Sequence, residues 1–462
     1  MNKGLGDRID SGMDGLISDL QAMIRQPSVS AKKHGLVECA NLVSHIMQKA
    51  GITTEILNLD GKENDIPPLV YGEVKSKVNP KGKTILFYNH YYVQPEDPIE
   101  LWDFDPFSGN VIDNYIYGRG SSDDKGELIT RIKAVESFLK TNGDVPCNIK
   151  FIVEGEEEVG SPHIEEYLTK YRQKFACDGI IWEFGYIDEN DRPIISLGMK
   201  GLLYVEIIAK GPARDAHSSL AVLIENPAWR LVQALNTMKD NAGKILIKDW
   251  YKEIREFTPN ELSIIAKEPF DEQKFKREYG INKFVNNVTG IEVCSAFVGM
   301  PTCNIAGLFS GYVGEGAKTV LPSKSMAKID FRLVPDMNPE KQLDRLQKHL
   351  KENGFGEDIE VNYIHGERAF RTPSTDPFVK QVEESANDIF GTAIISVSAG
   401  GTGPMYSFAK ILNVPCISVG ATYLYAKIHS PNEFARIDFL NKTTKCIVNI
   451  IEKFASSKQQ DS

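Results

Sequence analysis

The chain reads as an α/β protein: a mostly parallel, helix-covered sheet interrupted by an inserted two-layer α+β domain. Three observations predict this. Short apolar runs alternate with amphipathic stretches from Thr53 to Glu183, the pattern of parallel strands and their covering helices. After Gly198-Met199-Lys200-Gly201 the strand-like runs become alternating, as in a sheet with one exposed face. From about Pro373 the first pattern resumes. The predicted domains are therefore 1–200 together with 373–462, and an insert of 201–372.

Taken in order, residues 7–50 are expected to be helical. Leu16, Ile17, Leu20, Met23 and Ile24 mark one face, Leu42, Val43, Ile46 and Met47 another, and Gly51 ends the stretch. Strands are predicted at Thr53–Leu57, Leu69–Glu73, Thr84–Tyr88 and Asn148–Glu154, with a helix over Leu128–Leu139, whose apolar residues recur about once per turn. Ser161-Pro162 has the form of a helix start, Ser as cap and Pro in the first turn. In the insert, Leu202–Lys210, Thr302–Phe309 and Ser325–Leu333 read as strands, Pro227–Met238 and Pro339–Asn353 as helices, and the charged stretch 240–290 as loop. The final part carries a helix over Phe378–Phe390, the turn AGGTGP, a helix, a strand at Val414–Val419 and a closing helix over Phe439–Phe454.

Composition narrows the functional classes. Hydrophobic residues make up 42% and charged residues 25% of the 462, as in ordinary soluble proteins. The net charge of −10 offers no basic stripe for phosphates, so nucleic acid is not an expected partner. No stretch approaches the ~20 apolar residues of a membrane span, and MNKGLGDRIDSGMDGL lacks an apolar signal core. Seven dispersed cysteines without CxxC pairs read as reduced thiols, and the expected location is the cytoplasm.

Five metal-competent positions each lie just beyond a short apolar run. They are His90, Asp123, the Glu156-Glu157-Glu158 cluster, Glu183 and, after a short loop, His429. In open α/β sheets ligands bind beyond the carboxyl ends of the strands. Imidazoles and carboxylates gathered there suit divalent metal ions, which points to a metallohydrolase. Each position also has a plainer reading. His90 alone could be a packed histidine, the Asp pair a helix cap, the Glu cluster a solvated loop, and Glu183 half of a salt bridge. GYVGEGAKT (311–319) falls short of a phosphate loop, because Ala317 separates the second Gly from the Lys; a hairpin approach to Ser325 is expected there.

Together the motifs resemble those of the M20 family of co-catalytic zinc peptidases, and most of all its cytosolic dipeptidase branch. The matching segments run from H-x-x-V-Q-P at His90 through WDFDPF, YGRGSSDDKG, EGEEEVG, DAHSS, KTVLP, FRLVPDM and GGTGP to IHSPNE. The resemblance implies a zinc-peptidase-like catalytic domain with an inserted lid and dimerisation domain. It implies two divalent metal ions per subunit, Zn2+ first, with Mn2+ or Co2+ as alternatives. His90 and Glu183 match terminal ligands of one ion, Glu158 and His429 those of the other, and Asp123 the bridging carboxylate. Glu157 matches the general base. His217 matches a residue that reaches a neighbouring subunit's site, Arg332 and Thr319 match substrate-binding residues, and Gly401 and Thr402 lie in a turn lining the same pocket. The implied reaction is hydrolysis of dipeptides or small peptides by a homodimer. Two positions depart from the family pattern: Tyr92 stands where the family has an Asp that orients the first ligand His, and Glu183 stands where dipeptidases have Asp. The alternatives are an N-acyl amino-acid deacylase or carboxypeptidase of the same family, and an impaired peptide-binding relative, for which Tyr92 is the support.

Overall fold

The computed structural model describes residues 2–29, 31–61 and 66–457. They form two units. One comprises residues up to Gly198 with Arg371–Val397 and Ser407 onward; the other comprises Met199–Phe370 with Ser398–Tyr406. The turn around GGTGP thus clusters with the second unit, whereas the sequence reading kept 373–462 in one piece.

The first unit is built on an eight-stranded sheet. Thr84–His90 lies in its middle, parallel to Asn148–Glu154 on one side and Gly179–Trp182 on the other. Cys416–Ser418 adds parallel to Gly179–Trp182, and Ile194–Ser196 with Ile394–Ser396 completes that side. Leu69–Val74 and Thr53–Leu57 extend the opposite side as antiparallel strands. The central run TILFYNH is buried from its second residue onward because helices cover both faces of the sheet. Two of those helices, Lys125–Asn142 and Ile437–Ser456, supply Leu128, Ile132, Val135, Ile447 and Ile451 to one apolar core. Each such side chain contributes roughly 1.5–3 kcal/mol by leaving water.

In the second unit four antiparallel strands run in the order Asn304–Ser310, Lys324–Leu333, Gly201–Lys210, Ile359–Glu367. Gly201–Lys210 buries alternate residues, Leu203, Val205, Ile207 and Ala209, in a core shared with the helices Pro227–Met238 and Pro339–Glu352. The segment around GYVGEGAKT connects two neighbouring antiparallel strands, so it carries a hairpin connection.

Two expectations are corrected. The stretch 240–290 is not all loop: it contains the helices Pro259–Ile265 and Glu272–Tyr279, and Ile291–Gly299 follows. Thr258 and Glu261 form a reciprocal capping box and Asp271 caps the next helix. Their apolar stripes are too short for periodicity to reveal. Ser161 does not cap a helix. It sits at φ +46°, and its hydroxyl donates to buried Glu154 at 2.8 Å. Ser161→Ala is therefore expected to lower unfolding free energy by about 1.5–3 kcal/mol, the worth of a hydrogen bond to a charged group, measured by urea denaturation.

Candidate metal centre

The sheet topology brings the chemistry to one edge. His90 ends its strand directly opposite Glu154, and Glu183 follows the end of the neighbouring strand. Asp123 and Asp124 precede the helix Lys125–Asn142 across a cis peptide bond. Glu157 and Glu158 start a short helical turn beyond Glu154, and His429 lies on a loop at φ +57°, a conformation uncommon for a residue with a β-carbon.

Asp123 is the hub. Its Oδ1 lies 3.2 Å from His90 Nε2 and its Oδ2 lies 2.9 Å from His429 Nε2. His429 Nε2 is also 3.2 Å from Glu158 Oε2, while His90 Nε2 is 3.9 Å from Glu157 and 4.0 Å from Glu183. Ligand atoms of His90, Asp123 and Glu158 all fall within 4.8 Å of one another. The buried atoms Glu158 Oε1 and Glu183 Oε2 have no hydrogen-bond partner among the described residues.

Charge is crowded here. Burial pushes Glu157 up to about 8; His90 opposes the rise, and Glu158, Asp123 and Glu154 add to it. Burial, then repulsion from Glu157, raises Glu183 well above the carboxylate range. Burial would raise Asp123 as well, but the two imidazoles hold it well below its ordinary value. Hydrogen bonds from His429 to Asp123 and Glu158 raise that imidazole to about 10. A set of mutually repelling carboxylates with unpartnered buried oxygens is the donor set a divalent cation satisfies.

Further residues, to which sequence reasoning assigned no part in the centre, position the candidate ligands. Glu433 is fully buried; it accepts hydrogen bonds from the Ser122 and Asp123 amides at 3.0 and 3.1 Å and from Arg119 at 2.8 Å. Asp124 makes no side-chain cap; its Oδ2 accepts from Asn89 Nδ2 at 2.7 Å and the His90 amide at 3.0 Å. Arg131 donates to the carbonyls of Trp182 and Glu183, and Gln94 donates to Glu158 at 2.9 Å. Arg119, Asp124 and Glu433 lie inside the quoted motifs, which was the available signal; Arg131 had none.

Tyr92 is buried, and its ring packs on Tyr91 at 6.1 Å between centroids. Its main-chain carbonyl meets His90 Nδ1 at 3.0 Å. The orienting contact expected of a carboxylate two residues after the histidine is made here by backbone.

The remaining residues singled out from sequence belong to the second unit. His217 is exposed, on a two-residue strand paired with Val320–Leu321. Its Nδ1 accepts from the Ser219 amide, which leaves the proton on Nε2, 3.3 Å from Thr319 Oγ1. Arg332 donates to Thr402 Oγ1 at 2.6 Å and, among the described residues, has no carboxylate partner. The Gly401 carbonyl accepts from the Lys200 amide at 3.0 Å.

Residues 86–453 match the model of peptidase family M20/M25/M40. A solved M20 family metallo-carboxypeptidase, Sso-CP2 from Sulfolobus solfataricus, is 36% identical, with 95% of this chain and 99% of that one covered and a TM-score of 0.88. Cys-Gly metallodipeptidase dug1 of Schizosaccharomyces pombe is 29% identical over 97% of both chains. The human Beta-Ala-His dipeptidase is 29% identical over 81% of this chain and 75% of its own. No helix of the described residues is long and apolar enough to cross a membrane.

Proposed function

Because the chain belongs to peptidase family M20/M25/M40, we propose that it hydrolyses the amide bond of dipeptides and small peptides with the help of two divalent metal ions, zinc foremost. The carrying observation is that Asp123 turns one carboxylate oxygen to each of two histidines. His90 and Glu183 would hold one ion, His429 and Glu158 the other, with Asp123 shared. Such ions, when bound, polarise a carbonyl and acidify water.

The protein groups do the rest. Glu157 takes the proton of the attacking water and returns it to the leaving amine. Reaching a neighbouring subunit's site, the Nε2–H of His217 is a donor for the oxyanion that develops there. Arg332, free of a carboxylate partner among the described residues, grips a substrate carboxylate with its fork of N–H groups, with Thr319, Gly401 and Thr402 lining the pocket. Tyr92 serves through its carbonyl, which fixes the His90 ring. Tyr92→Phe is accordingly expected to keep metal content and kcat/KM within about threefold, the scale of a change that removes no partner, checked by metal analysis and initial rates.

An edge strand bearing exposed Ile305, Leu308 and Phe309 supports a homodimer through the inserted domain. Seven free thiols, most of them buried, suit the reducing cytoplasm.

The test is a hydrolysis panel with added zinc, manganese or cobalt. Free amino acids released from dipeptides are the expected result. Cleavage confined to N-acetyl or N-succinyl amino acids would move the protein to the deacylases. C-terminal trimming of longer peptides would align it with the metallo-carboxypeptidase relative. No cleavage with any metal would sink the proposal.

A further inference from the structure

The second unit holds a cavity of about 1060 Å³. Its wall is aromatic: Phe270, Phe275 and Phe284 pack on one another with centroids 5.4–6.0 Å apart, and Phe297 stands 58% exposed beside them. At the polar end are Arg332 and buried Lys200, whose Nζ donates to the Met300 carbonyl at 2.9 Å and lies 5.7 Å from the Phe297 ring. Gly400 completes the lining. A β-carbon there would come 2.7 Å from Phe297 Cζ, so the glycine lets the ring lie against the GGTGP turn.

The pocket is as large as those that enclose whole small ligands, so it has room for a large apolar side chain. Its lining carries four cations, Lys200, Lys239, Lys244 and Arg332, against two carboxylates, Asp240 and Glu268. Among them are a guanidinium without a carboxylate partner among the described residues and a lysine closed off from solvent, in an otherwise largely apolar chamber. A molecule with a carboxylate at one end and a bulky apolar group at the other complements both. We propose that this cavity is a specificity pocket for the residue whose carboxylate Arg332 grips, so that the preferred substrates are peptides ending in phenylalanine, tryptophan or leucine. The proposal rests on the reading of Arg332 as the substrate clamp.

The test compares kcat/KM of the metal-loaded protein for Gly-Phe, Gly-Leu and Gly-Gly. Gly-Phe is expected to exceed Gly-Gly by about 10- to 100-fold, the worth of burying one large apolar side chain. Phe297→Ser, which removes a largely exposed ring, and Val293→Trp, which fills the chamber, are each expected to lower the Gly-Phe to Gly-Gly ratio about tenfold, with circular dichroism verifying the fold. Calorimetric titration with 3-phenylpropionate, which needs no turnover, is expected to show binding that Arg332→Ala and Phe297→Ser both abolish, and no binding of acetate. A ratio near one, or a ratio unmoved by both variants, in a protein that cleaves dipeptides would overturn the pocket and leave the peptidase reading standing. Should no dipeptide be cleaved, the titration decides alone: binding lost in both variants supports the pocket, and no binding overturns it.

Discussion

Glu157→Gln is expected to lower kcat by a factor of about 10²–10⁴, the range for removing a general base, with KM and metal content unchanged. The amide has nearly the shape of the carboxylate but cannot take a proton. Glu157, 3.9 Å from the His90 nitrogen, is not among the residues assigned to hold metal. Its replacement therefore leaves the proposed ligands in place. An interaction made only in the transition state lowers kcat and kcat/KM equally, which separates this outcome from damage to substrate binding. Initial rates over a range of Gly-Phe concentrations, with metal analysis of the same preparation, make the measurement. Wild-type turnover in the variant would remove Glu157 from the mechanism.

Asp123→Asn is expected to cost more than activity alone. The carboxylate offers an oxygen to each imidazole at 3.2 and 2.9 Å; an asparagine offers one oxygen and turns an NH2 group toward the other histidine. It also withdraws a negative charge from the place where two cations are proposed to meet. Loss of a group that merely orients a ligand costs about 10–100-fold in metal affinity or activity, so loss of a shared ligand should exceed that. The expected result is at most one metal per chain after dialysis and turnover at background. Retention of two metals with full turnover would refute the assignment of Asp123 as the shared ligand. Because Glu433, itself held by Arg119, accepts from the Asp123 amide independently of the Asp123 side chain, the backbone should stay in place and the loss be chemical, which a far-ultraviolet circular dichroism spectrum checks.

What could be read from sequence has a physical pattern. His90 and Glu183 stood out because an apolar strand ends in a group that apolar surroundings reject. Thr53–Leu57 and Pro227–Met238 were legible to the residue because period-two or period-3.6 burial wrote them, and Asn148–Glu154 because it is a short, continuously buried run. His429, on a loop eleven residues beyond the last residue of the strand Cys416–Ser418, carries no such mark and was reached through its motif. The Arg119–Glu433 pair joins positions 314 apart, and such a contact leaves no periodic trace. The helices between Pro259 and Gly299 escaped because each spans only two or three turns, too short for a periodic pattern to stand out. Tyr92 looked like a defect because sequence shows side chains only, whereas the contact with His90 is made by a backbone carbonyl, which every residue type provides.

The place of Cys416–Ser418 has a bearing on biosynthesis. It is an inner strand, between Gly179–Trp182 and Ile194–Ser196, yet it is translated more than two hundred residues after either. Until it emerges from the ribosome, Gly179–Trp182 has a bare edge able to pair with any extended chain nearby, and His429 does not yet exist. A growing polypeptide thus lacks one of the proposed metal ligands and is at the same time vulnerable to clumping. A message broken before that codon should yield insoluble material, not a feeble protease.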